Sequence, residues 1–341
     1  MKKIEGYLKG INLGGWISQC GWYYNKSHYE KYIQEKDIFI IKTQYKVDHI
    51  RVPFDYNVIQ DKSGLFIEEN FIYIDNIIRW CEKFNLNVVL DLHKANGYSF
   101  DDSEHETGLF GQKTQEEKFI KLWSEMARRY SNKPNVAFEL LNEVTLKDYS
   151  DEWNKLCKQT IEKIREYSKN VKIFFGGYWS NSPDALYDLI SPPDENCYYT
   201  VHFYGPMCFT HQGAWWVKEM PKNFHMPYPF NYDCYKYKKV RPYYESMCMP
   251  WPKGLQDETF FDKSFENAIK IAEERNTSIY CSEYGVIDKA DPKSTLNWFK
   301  DINKFFVKNN IGRAVWNYKR KIFGISGRHY DSIRKELINY F

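Results

Sequence analysis

The sequence predicts an α/β protein folded as a single (β/α)₈ TIM barrel, on three observations. Short apolar runs of strand character alternate with segments of helical period from one end to the other, the pattern of α/β architecture. Eight runs of each kind can be counted. Several of the strand-like runs stop abruptly on polar or charged residues, as barrel strands do at the carboxyl face where chemistry is placed. A length of 341 residues suits one such barrel and buries a large core without disulfide staples.

The first strand is Leu8–Leu13, running into Gly14-Gly15-Trp16. A helix over Asp37–Tyr45 leads to a second strand, Val47–Pro53. Phe71, Ile74, Ile77, Ile78 and Cys81 recur at helical spacing within Asn70–Phe84. Asn87–His93 is the third strand and ends on a histidine; Gln115–Tyr130 is the next helix. Asn135–Glu143, Asn-Val-Ala-Phe-Glu-Leu-Leu-Asn-Glu, follows the turn at Ser131–Pro134 and reads as a buried strand closing on an amide and a carboxylate. Helix Asp151–Ser168, strand Lys172–Trp179 and a short helix near Asp184–Ile190 come next. Tyr198–Tyr204 is the sixth strand. Lys263–Arg275 is a helix, Ser278–Glu283 the seventh strand, Lys293–Asn309 a helix, Gly312–Tyr318 the eighth strand and Ser332–Tyr340 the closing helix.

The whole chain, 1–341, is expected to be one catalytic domain. Its single departure from barrel economy is the run Pro206–Asp262, too long for a plain connection. It carries Trp215, Trp216, Pro227, Pro229, Pro242, Trp251 and several tyrosines. Because it follows a strand's carboxyl end, it is expected to form an insertion or subdomain (206–262) over the active-site face.

Composition narrows the function. The net charge is +3, from 48 basic and 45 acidic residues, so no global field points to nucleic acid or membrane. No run of about 18 apolar residues marks a membrane span. The Met-Lys-Lys-Ile-Glu-Gly start has no apolar segment behind it, so no signal peptide is read and a cytoplasmic location is expected. Eight scattered cysteines without a Cys-x-x-Cys pair fit reduced thiols and not a zinc site. Aromatics reach 18 % of the chain, and aromatic faces in a cleft are a means of holding sugar rings. No metal and no cofactor are expected. Asp101–Glu106 reads as a solvated acidic loop without the His-Glu-x-x-His spacing, and Gly10–Gly15 lacks the spacing of a dinucleotide loop.

The candidate site is assembled from strand ends: Arg51, His93, Asn142, Glu143, His202, Tyr204, Glu283 and Trp316. Two strands that each deliver a glutamate suggest paired carboxylates, the equipment of glycoside hydrolysis. On the retaining route one attacks the anomeric carbon while the other protonates the leaving oxygen and later activates water. The two need different protonation states, and an arginine and a phenol beside one of them would keep that one ionised.

In these motifs the sequence resembles glycoside hydrolase family 5, in the clan of retaining (β/α)₈ glycosidases, and within it the clostridial endoglucanase C branch. The resemblance runs from Gly10–Trp16 to Ala314–Lys319, with motifs in order on strands one to four and six to eight. It implies Glu143 as acid/base, Glu283 as nucleophile and Asn142 as a contact of the sugar 2-hydroxyl. It further implies that Arg51 holds the nucleophile ionised, that His93, His202 and Tyr204 line the same subsite, with the Tyr204 hydroxyl on Glu283, and that Trp316 is the floor under the sugar ring. The chain departs from the branch at Lys94-Ala95-Asn96-Gly97, where relatives have a second His and then Ala-Pro-Gly. It departs again at Tyr178-Trp179-Ser180-Asn181, where they carry asparagines; the resemblance implies that both segments border the glycone side of the cleft.

The expected function is that of a retaining endo-β-glucanase acting on β-1,4-glucan or mixed β-1,3/1,4-glucan, or on their oligosaccharides. The Asn-Leu-Gly-Gly-Trp opening also keeps β-1,3 linkage open. A β-mannanase and an exo-acting β-glucosidase are alternatives on the same scaffold. A carbohydrate-binding barrel without catalysis is the alternative outside enzymes.

Overall fold

The computed structural model describes residues 1–217, 220, 223–231, 255–319 and 322–341. Of the insertion's features, Pro242 and Trp251 lie outside the described residues. Eight parallel strands close into a barrel: β1 Lys9–Asn12, β2 His49–Asp55, β3 Asn87–Lys94, β4 Val136–Glu139, β5 Lys172–Phe175, β6 Cys197–Phe203, β7 Ile279–Tyr284 and β8 Gly312–Val315. Each strand pairs with its sequence neighbours, and β8 closes on β1 through Lys9 opposite Arg313.

Period-two alternation sorts the side chains into two environments. Ile50, Val52, Leu90, Leu92, Phe138, Ile173 and Val201 point outward into the apolar layer beneath the helices. Val89, Ala137, Phe174, Tyr280 and Ala314 point inward, where Ile4 and Tyr7 plug the amino-terminal end of the barrel. One layer nearer the carboxyl face stand Asn12, Arg51, Asp91, Glu139, Thr200 and Ser282, all fully buried. The barrel is therefore apolar at its base and polar toward its carboxyl face.

Helices cover the outside, with apolar faces spaced three and four residues apart. Phe71–Lys83 buries Phe71, Ile74, Ile77, Ile78 and Cys81; Lys113–Tyr130, Ser150–Arg165, Thr259–Glu274 and Pro292–Asn309 behave alike. Three of them carry a tryptophan whose indole N–H reaches a carbonyl at the end of a strand. Trp123 donates to Leu140 at 3.0 Å, Trp153 to Gly176 at 2.7 Å and Trp298 to Gly205 at 2.9 Å. These carbonyls lie where the ladder has run out, so the indoles satisfy groups that would otherwise be buried unpaired. In doing so they pin the carboxyl ends of β4, β5 and β6.

Several elements differ from the sequence reading. β4 stops at Glu139, not Glu143: Leu140 N–H bonds to Phe174 O and Asn142 N–H to Leu92 O, single bonds beyond the ladder. The chain kinks there, so the Leu-Leu pair stays in the apolar core while Asn142 turns inward. β5 ends at Phe175, and Trp179 belongs to a tight turn. The closing helix is split into Arg334–Leu337 and a 3₁₀ turn, Ile338–Tyr340. A further helix, Lys26–Tyr32, occupies the β1–β2 connection, capped by the Asn25 side chain on His28 N–H. The helix after the insertion begins at Thr259, four residues before its expected start.

Candidate active site

Arg51, fully buried on β2, organises the carboxyl end of the barrel. Its Nε and Nη2 grip Glu139 at 2.7 and 3.0 Å, and Nη1 donates to Glu283 at 2.8 Å and to the Asn12 amide oxygen at 3.0 Å. Nη2 also donates to Asn142 Oδ1 at 2.9 Å and lies 3.1 Å from Asp91. One guanidinium thus faces three carboxylates. The bidentate geometry available only to arginine goes to Glu139, which makes Glu139 the anchor and leaves Nη1 for Glu283.

Glu283 receives a second donor from the Tyr204 hydroxyl, 2.9 Å from Oε2. Burial beside Glu283 raises the Tyr204 phenol well above its ordinary value, so it remains a donor. Glu143 sits just past β4. Burial pushes its carboxyl up, while the Ser180 hydroxyl, His93 and Arg51 act in the opposite sense. His202 Nδ1 lies 2.7 Å from Glu143 Oε1 and 3.7 Å from Glu283 Oε2. Burial lowers His202 to about 4, so the ring is neutral at neutral pH and pairs with Glu143 through Nδ1 without adding a charge between the two glutamates. One ligating atom from each of Glu143, His202 and Glu283 lies within 4.8 Å of the others, a separation that would also suit a divalent cation. His93 donates or accepts through Nδ1 at Asp91, 2.7 Å away, and lies parallel to the Trp316 indole at 2° and 5.7 Å. Glycine at position 14 permits this: a Cβ there would stand 2.4 Å from the indole.

The structure therefore brings all eight sequence candidates, Arg51, His93, Asn142, Glu143, His202, Tyr204, Glu283 and Trp316, to one end of the barrel. It adds Asn12, Asp91 and Glu139, which were missed although a signal existed. A barrel strand buried on both faces should be nearly all apolar, and charges at the inward positions of β3 and β4 need a buried partner. Beside His93, Lys94 Nζ meets Glu104 at 3.2 Å and the Tyr24 hydroxyl at 3.3 Å, and Tyr24 donates to Asp55. The acidic run 101–106 is accordingly solvated only in part. Glu104 holds Lys94, and Glu106 accepts from the Tyr56 hydroxyl at 2.8 Å and from Gly97 N–H.

Asp91 yields a stability prediction. Burial pushes its carboxyl up to about 7 from 3.8 against the pull of Arg51. A carboxyl that binds its proton more tightly folded than unfolded contributes stability that is complete below the unfolded pKa and lost as pH rises through the folded one. Asp91→Asn removes that titration while keeping an acceptor oxygen for Arg51 and His93. Unfolding in urea across pH 4 to 8 should show the parent losing stability relative to the variant between about 4 and about 7. Parallel curves would contradict the assignment.

A closed parallel barrel with two glutamates, an arginine, a phenol and a stacked tryptophan at its carboxyl face is the frame of a glycoside hydrolase. Comparison with known proteins gives the family. Residues 8–322 match the family described as Cellulase (glycosyl hydrolase family 5), and the chain belongs to it. Endoglucanase C of Acetivibrio thermocellus is 39 % identical over 341 residues, covering 98 % of each chain. Cellodextrinase A of Ruminococcus flavefaciens is 38 % identical over 314 residues, 92 % of this chain and 86 % of the relative. Among solved structures, endoglucanase Cel5A of Thermotoga maritima shares the fold with a TM-score of 0.75 at 24 % identity, over 98 % of this chain and 97 % of that one.

Proposed function

We propose that this protein is a retaining endo-β-glucanase that hydrolyses β-1,4-glucan or mixed β-1,3/1,4-glucan and their oligosaccharides, with Glu283 as nucleophile and Glu143 as acid/base. The observation that carries the reading is the approach of the two carboxylates within 4.8 Å. That is the short spacing of direct attack, about 5 Å, and leaves no room for the intervening water of an inverting enzyme. Glu283, under two donors, attacks the anomeric carbon. Glu143, whose proton is retained by burial, delivers it to the departing oxygen. Glu143, now ionised, takes a proton from water, which attacks the glycosyl-enzyme and frees Glu283. Asn142, tied through Oδ1 to Arg51, turns its Nδ2 toward the sugar, and Trp316 with His93 forms the wall of the glycone subsite.

The test is product analysis on barley β-glucan, carboxymethylcellulose, laminarin, mannan, xylan and cello-oligosaccharides. Rapid viscosity loss with mixed oligosaccharides from the glucans is expected. Turnover of mannan alone would overturn the sugar assignment. The Ruminococcus relative's name adds soluble cellodextrins to the substrates to be assayed.

We also propose that residues 206–262 form a wall over the active-site face. In support, Thr210 O accepts from Ile287 N–H at 2.9 Å and Gly213 O accepts from Lys289, which ties the segment's beginning to the loop that follows Glu283, and Tyr228 donates to Asp301 of the helix Pro292–Asn309 at 3.0 Å. Replacing residues 218–254 with a short Gly-Ser linker should reduce turnover of polymeric glucan more than that of cellotriose. Equal, unchanged turnover of both would contradict it. A cytoplasmic site of action is proposed as well, supported by the burial of Cys81, Cys157, Cys197 and Cys281, which among the described residues form no disulfide. Among the described residues, no helix is long and apolar enough to cross a membrane.

A further inference from the structure

Tyr204 stands one residue past the end of β6, where the ladder has stopped. Its phenol nevertheless sits 2.9 Å from Glu283 Oε2. Two side-chain torsions must be locked for that, and beyond the ladder the locking falls to tertiary contacts. Thr210 supplies the first. Its hydroxyl donates to the Tyr204 carbonyl, and its own carbonyl accepts from Ile287 N–H at 2.9 Å, in the loop that follows Glu283. One residue therefore ties the segment bearing the phenol to the segment bearing the nucleophile.

His211, buried, supplies the second. Its ring meets the Tyr204 ring edge-on at 5.0 Å and 79°, and Phe323 packs on both, 5.6 Å from Tyr204 and 5.1 Å from His211. The tautomer follows from the donors and acceptors. A threonine hydroxyl has one hydrogen and a carbonyl can only accept, so the Thr210 hydrogen goes to Tyr204 O. The 3.1 Å contact between Thr210 Oγ1 and His211 Nδ1 then requires a hydrogen on Nδ1. Burial lowers His211 to about 4, which leaves the ring neutral with that single N–H. The order is His211 Nδ1–H to Thr210 Oγ1–H to Tyr204 O. Filling the space beside Tyr204 would take only a phenylalanine or a leucine, which bury no polar side-chain atom. A buried histidine that packs on the Tyr204 ring, and is wired through Thr210 to the Tyr204 carbonyl, holds that residue by ring and backbone together.

We propose that His211 is a positioning residue that, with Thr210, holds the Tyr204 phenol on Glu283, so that the start of the 206–262 insertion serves the nucleophile. This rests on the β-glucanase reading above, with Glu283 as nucleophile. The test is a double-mutant cycle on cellotetraose, with kcat and KM read separately. Tyr204→Phe removes a hydrogen bond to a charged group and should lose about ten- to a hundredfold in kcat. His211→Ala should lose about tenfold, in kcat and not in KM, and His211→Phe, which keeps the ring, should recover part of the loss. Thr210→Val keeps the shape, drops the hydroxyl and should also lower kcat. In the Tyr204→Phe background, His211→Ala and Thr210→Val should each cost less than about twofold, because the phenol they position is gone. Equal losses in the two backgrounds, a loss confined to KM, or no loss would overturn the brace and leave Glu283 in its role. Tyr204→Phe as active as the parent would overturn the phenol's part in the nucleophile's site. A parent inert on cellotetraose would overturn the β-glucanase reading, and each of these last two results takes the brace with it.

Discussion

Glu283→Ala is expected to abolish turnover, with kcat falling by on the order of 10⁵ or more, the scale on which loss of a nucleophile acts in covalent catalysis. The variant removes the one carboxylate that both Arg51 and Tyr204 address, at 2.8 and 2.9 Å. It leaves Arg51 gripped by Glu139, so the fold should survive. The vacated space lies against the anomeric carbon. External azide should therefore enter it and restore turnover of an activated aryl β-glycoside, giving a glycosyl azide of inverted configuration. Retention of normal turnover by the variant would remove Glu283 from the mechanism.

Glu143→Ala should have the second-largest effect, and a selective one. Loss of general acid catalysis costs about 10² to 10⁴-fold on natural glucan, whose sugar leaving group needs a proton. An aryl glycoside with a good leaving group should still form the glycosyl-enzyme at near the parental rate and then accumulate it, because the base for the second step is gone. Burial raises the Glu143 carboxyl above its ordinary range. The parent's activity should accordingly fall on the alkaline side as Glu143 loses its proton, and this limb should vanish in the variant. An unchanged alkaline limb would show that another group is the acid.

Much of this architecture was legible because barrel strands advertise themselves by abrupt changes of polarity. Glu283, Glu143, His93 and His202 each end an apolar run, and Arg51 stands in one. What the sequence concealed follows from the same residues. Leu140-Leu141 extends an apolar run past the last ladder bond at Glu139, so the kink that turns Asn142 inward has no signature. The expected partner of Arg51 was Glu283, whereas its bidentate grip belongs to Glu139, a choice made by side-chain direction across the barrel. Trp179 was read as strand because neither tryptophan nor the serine after it announces a left-handed turn; tertiary hydrogen bonds to Val144 and Thr145 impose it. The acidic run 101–106 looked like solvent-facing charge, since nothing local indicates that Lys94 and Tyr56 will reach Glu104 and Glu106.

In a retaining enzyme Glu283 becomes covalently glycosylated. The most direct test is incubation with a 2-deoxy-2-fluoro-β-cellobioside bearing a good leaving group, followed by proteolysis and mass spectrometry. The fluorine destabilises the oxocarbenium-like transition states of both steps, and the good leaving group restores the first, so the glycosyl-enzyme accumulates. One added fluorocellobiosyl group is expected, on the peptide containing Ser282-Glu283-Tyr284 and absent from Glu283→Ala. An adduct on any other residue, or none while the reagent is still hydrolysed, would contradict it.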